Sequence, residues 1–163
     1  MPWQPFHAVI DLPWEKAQAA KASDANKAQV AATHALRDVL DNLRDLRGSE
    51  TEAEPRVVAA GIVAGAGQDP GQIPNPHFRA HAAEGRLFRK AAEFAAEANG
   101  LTRRTFSQKD LYSALAGELK RTAAVVKSQV AALGAKRIKP WRGEEKEAAA
   151  AAWAALAESD RHA

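Results

Sequence analysis

A chain of 163 residues with a formal net charge of +3 has the length of one ordinary domain and can bury a core without covalent staples. It has no cysteine, which excludes disulfides, thiolate metal sites and a cysteine nucleophile, and it fits a reducing, cytoplasmic setting. About a quarter of the residues are alanine, against four Trp, one Tyr and five Phe, so the expected core is made of slim helices packed closely.

Residues 1–12 read as an extended lead-in rich in Pro and Trp, with no basic segment followed by an apolar stretch, and no signal peptide is expected. Helical pattern then runs from Pro13 to Arg47, with Gly48 as its C′ residue. Ala32, Leu36, Val39, Leu43 and Leu46 recur every three or four residues, and the cap-like pair Ser23-Asp24 offers a break. After an acidic connector, Pro55 opens the apolar stretch Val57 to Val63. Its β-branched residues allow a strand, but it is read as a buried helix ending at Gly65 or Gly67, because no second strand candidate exists to pair with it. The run is too short and too glycine-broken to span a bilayer.

Residues 67–76 hold three prolines and two glycines and form a loop. Asn75-Pro76 then reads as N-cap and N1 of a helix that runs to Asn99-Gly100. Its apolar arc is wide, which predicts a central helix contacted from several sides. Residues 101–106 read as a basic connector. Ser107 is the expected N-cap of one long helix to Gly134, with Asp110 at N3 and a staple between Phe106 and Leu111. A second basic connector, 136–142, leads to a last helix from Glu144 whose apolar face is thin and is expected to dock weakly or against another chain. The fold class expected is all-α, a single-domain bundle of five or six helices over 1–163.

Charge is unevenly placed. Residues 1–54 carry six bases and nine acids, 55–99 five and four, and 143–163 two and five. Residues 100–142 carry ten bases against Asp110 and Glu118 alone. On one long helix, Lys109, Lys120 and Lys127 would share nearly one angle, at spacings of about 16 and 10 Å. Arg103 and Arg104 would flank them on one side, and Lys136, Arg137, Lys139 and Arg142 on the other. Such a track neutralises phosphates and releases counterions without reading sequence, and Trp141 can stack on a base. The alternatives are a solvated helix face with ordinary linker lysines, or an acidic protein partner, with Trp141 a packing residue.

His77 and His81 stand four apart with Glu84 on the same face, a spacing that suits one metal ion. Phe78 stands where a metalloprotease would carry its base, and no further ligand lies nearby in sequence. The group is therefore read as a polar cluster, and no metal and no cofactor is expected. Gly61, Gly65, Gly67 and Gly71 match neither a P-loop nor a dinucleotide fingerprint. No nucleophile elbow or distinctive carboxylate pair occurs, so no enzyme is expected.

A small, basic, helical chain without catalytic residues resembles the small-subunit family of CRISPR effector complexes. The residues that carry the resemblance are Lys109, Lys120 and Lys127, Arg103 and Arg104, and Lys136, Arg137, Lys139 and Arg142. It implies a non-catalytic small subunit of a multi-subunit ribonucleoprotein, bound to the backbone of single-stranded DNA or RNA. It also implies contacts to other subunits, several copies of the chain in the assembly, and no membrane. The alternative is a phage or virion structural or assembly protein that binds only protein, since such proteins are equally helical and poor in motifs.

Overall fold

The computed structural model describes residues 3–45, 56–65, 67–134 and 140–159. Among these residues are six α-helices: α1 (Trp14–Ala20), α2 (Ala22–Asp45), α3 (Pro76–Ala98), α4 (Leu111–Glu118), α5 (Ala123–Gly134) and α6 (Gly143–Ser159). Two strands, β1 (Ala59–Ala64) and β2 (Thr102–Ser107), and two short 3-10 segments, His7–Val9 and Pro70–Gln72, complete the described elements. The chain is mostly helical, as its alanine content requires, but it is not all-α. It divides into two compact units, Met1–Thr51 with Gly67–Asn99, and Glu52–Ala66 with Gly100–Ala163.

The first unit is built on α2 packed along α3. Helix α1 ends at Lys21, and α2 begins at once, close to the break expected at Ser23-Asp24. Asp24 is buried there, with Lys27 Nζ at 3.0 Å and Lys21 Nζ at 3.6 Å. The Lys27 hydrogen bond holds the Asp24 carboxyl below its ordinary value, against burial, which pushes the other way. Helix α3 starts as expected: Asn75 Oδ1 accepts from the backbone N of His77 and Phe78, and Pro76 opens the helix. It ends at Asn99, whose Nδ2 donates to Thr33 O on α2, and Gly100 follows at φ 73° in the left-handed region.

The buried side of α3 is Ala80, Ala83, Glu84, Ala91, Ala95 and Ala96, which admits α2 closely. Phe78, Phe88 and Phe94 are exposed, so the expected wide apolar arc is only partly covered, although α2 and both 3-10 segments contact α3. The lead-in is not extended throughout. It turns at His7–Val9 and lays Phe6, Val9 and Ile10 beside Pro76 and Ala80 at the start of α3. Gly48, the expected C′ residue, lies outside the described residues.

The second unit holds the other departures from the sequence reading. The stretch expected as a buried helix is strand β1. Its partner is β2, which had read as a basic connector. The two run parallel, from Ala59 opposite Thr102 to Ala64 opposite Ser107. Thr102 N donates to Val58 O at 3.1 Å and Gln108 N to Ala64 O at 2.9 Å, which extends the ladder at both ends. Two strands alone are marginal in water. They are held by α6, which lies on β1 so closely that a Cβ built on Gly61 would collide with the Ala151 backbone. Helix α6 therefore does not dock weakly. Ala150, Ala151 and Ala154 are fully buried in a core with Phe106, Leu111, Leu115, Val126 and Val130. Its thin apolar face is the reason, because only small side chains allow that approach.

The single long helix expected from Ser107 to Gly134 is two helices. Ser107 ends β2 instead of capping a helix, and Asp110 N donates to Ser107 O at 3.0 Å before α4 begins at Leu111. Helix α4 closes with Lys120 N to Gly117 O at 3.3 Å and Arg121 N to Ala116 O at 2.9 Å, the paired bonds of a Schellman motif. Lys120 adopts φ 52°, where glycine is usual. Thr122 then caps α5 through Oγ1 to Val125 N at 3.3 Å.

Candidate functional site

Because the helix breaks at 119–122, Lys109, Lys120 and Lys127 do not lie on one helix, and the spacing argument that aligned them does not hold. All three are nonetheless exposed. Lys109 stands in the turn before α4, Lys120 at the vertex between α4 and α5, and Lys127 on α5. Lys127 Nζ sits 5.2 Å from the ring centre of half-buried Tyr112. Burial first, and Glu147 second, raise the Tyr112 phenol above its ordinary pKa, so the ring under the ammonium is neutral. Arg121, which the sequence reading left out of the track, is exposed beside Lys120, with Nη1 donating to Gln129 Oε1 at 2.8 Å.

Arg104 does not join this surface. It is ion-paired to Glu118 on α4 and, at 3.3 Å, to Glu158 on α6, and its guanidinium lies 4.6 Å from the Phe106 ring centre. The Glu118 hydrogen bond raises its pKa further, against burial, which pulls it down. Its work is to tie β2 to two helices. Arg103 is exposed on β2. Lys136, Arg137 and Lys139 lie outside the described residues. Trp141 is half-buried. Its Nε1 donates to Val130 O at 3.2 Å, and a Cβ on Gly134 would collide with its ring. Its indole is therefore committed to packing, not to stacking on a base. Arg142 is exposed at the start of α6, where its backbone N donates to Glu145 Oε2 at 2.8 Å.

On the segment from 107 to 134 the exposed cations are Lys109, Lys120, Arg121 and Lys127. Its two carboxylates are Asp110, exposed before α4, and Glu118, held by Arg104. Helix α5 buries Val126 and Val130 and turns Ala124, Val125, Lys127, Ser128, Ala131, Ala132 and Leu133 outward.

A second cluster lies in the first unit. His77 and His81 are one turn apart on α3, with their Nε2 atoms 3.1 Å from each other. Glu84 shares their face, and His7, some seventy residues earlier in the chain, joins them. The 3-10 turn brings the His7 ring to centroid distances of 4.5 Å from His81 and 5.2 Å from His77. Glu84 is buried and accepts from His7 Nδ1 at 3.0 Å, and from the backbone N of Phe6 and His7 at 3.1 and 3.2 Å. No local signal marks His7, because its partners belong to another element.

No protein-family model, curated protein or solved structure matches this chain. Among the described residues, no helix is long and apolar enough to cross a membrane.

Proposed function

We propose that the chain is a non-catalytic subunit of a larger nucleoprotein assembly, and that its second unit holds a nucleic-acid backbone through the α4–α5 pair. Such a role is the one that the resemblance to CRISPR effector small subunits implies. The observation that carries the proposal is the exposure of Lys109, Lys120, Arg121 and Lys127 along α4, its turns and α5, a segment on which only Asp110 is an exposed acid. Lys120 adds to it. Glycine would take the left-handed turn at no steric cost, whereas lysine sets an ammonium at the vertex of the helix pair. The pair has the connectivity of a helix-turn-helix, whose second helix enters a groove or lies along phosphates. The outward face of α5 is mostly apolar and offers few donors for base edges, so phosphate contact without sequence reading is the chemistry it suits.

The test is fluorescence anisotropy with single-stranded and duplex oligonucleotides over a salt series. Three or four phosphate contacts give a slope of log K on log salt of about −2 to −3 for single strands. Lys109→Glu, Lys120→Glu and Lys127→Glu together abolish binding at low salt while circular dichroism stays that of the parent. Unchanged affinity rejects the proposal. So does a parent protein that forms symmetric multimers with no salt-dependent retention of DNA or RNA, the behaviour of a virion protein that binds only protein.

A further inference from the structure

The geometry points to a divalent transition-metal site, for Zn2+, formed by His7, His77 and His81 with Glu84 as the carboxylate that orients His7. One ring nitrogen from each histidine lies within 4.8 Å of those of the other two. Four-coordinate Zn2+ at about 2.0–2.1 Å from each nitrogen sets its ligand atoms about 3.3 Å apart. The His77–His81 pair, at 3.1 Å, already has that spacing. Two Nε2 atoms that face each other in neutral rings must share a proton or a cation, since lone pairs alone repel.

Glu84 makes this more than a polar cluster. A carboxylate only accepts, so the proton of the His7 ring must sit on Nδ1, 3.0 Å from both Oε1 and Oε2. That leaves the Nε2 lone pair for a metal. A buried carboxylate on the far nitrogen of a ligating histidine fixes its tautomer and raises its basicity, and losing such a partner weakens metal binding about 10–100-fold. Glu84 is itself held by two backbone N–H donors, from Phe6 and His7, so the lead-in and α3 fix the ring together. His77 and His81 are exposed, which leaves a fourth position for water or an exchangeable ligand. Imidazole donors without thiolate or a directly bound carboxylate suit Zn2+ and its neighbours rather than Ca2+ or Mg2+. Every residue of the site lies in the first unit, so the site stands apart from the reading of the basic surface in the second.

The experiment uses the full chain without a histidine tag, stripped with chelator and dialysed against Zn2+, with metal measured by elemental analysis. The expected stoichiometry is one Zn2+ per chain, with a rise in melting temperature. Substitution with Co2+ gives the visible bands of a tetrahedral site. His77→Ala and His81→Ala, both at exposed positions that leave the fold intact, each lower affinity at least tenfold and remove those bands. Glu84→Gln lowers affinity about 10–100-fold with the stoichiometry kept. Less than stoichiometric Zn2+ overturns the inference, and so does binding that survives both histidine variants.

Discussion

The two units solve one composition in opposite ways. In the second, Leu111, Leu115, Val126 and Val130 are completely buried, and alanines fill the space between them and the strands. In the first, the buried apolar residues are almost all alanine, and the interior also holds two carboxylates, Asp24 and Glu84. Large side chains hold the second unit by the area they remove from water, about 1.5–3 kcal/mol for each Leu or Val. Alanine removes little, so the first unit depends on close helix approach and on buried acids that each have a hydrogen-bond partner. A small-residue interior is sensitive to added bulk, and a large-residue interior to lost bulk.

Substitutions sharpen that contrast. Leu115→Ala opens a cavity among fully buried neighbours and costs about 2–5 kcal/mol in chemical denaturation, the largest effect expected. Ala96→Leu adds bulk where α3 is almost completely buried and costs about 1–3 kcal/mol. Equal tolerance of the two changes would show that the interiors are not built differently. The smallest effect has the opposite sign. Lys120→Gly relieves the left-handed backbone and raises stability by about 0.5–1 kcal/mol. The same change lowers oligonucleotide affinity, so stability and binding should move apart in one variant.

Much of the first unit was legible in the sequence. The start of α3 at Asn75-Pro76 and its end at Asn99-Gly100 are set by a cap and by backbone conformations that those residues favour, whereas the first break falls at Lys21 and Ser23-Asp24 lie inside α2. The second unit was harder to read because its determinants are not local. β1 and β2 pair across roughly forty residues, and the arginines of β2 hid the β-forming Thr102, Thr105 and Phe106. The break between α4 and α5 carries lysine where glycine would have announced it. The last helix looked underpowered because alanine scores low on hydrophobicity, while its value here is steric. The expected basic track lost its alignment with that helix break, and lost Arg104 and Trp141 to packing. His7 was passed over because nothing in its own segment resembles a ligand set.

The parallel pairing also sets an order of events on the ribosome. β1, with its run Ala60-Gly61-Ile62-Val63, leaves the exit tunnel with no ladder partner, and none exists until β2 has been made. At ordinary elongation rates the delay is on the order of seconds, long compared with helix formation. During it, α3 has time to close on α2 while an apolar edge stands open to other nascent chains. Slower translation through codons 65–101 would lengthen that exposure and lower the yield of native protein with no change in its final stability.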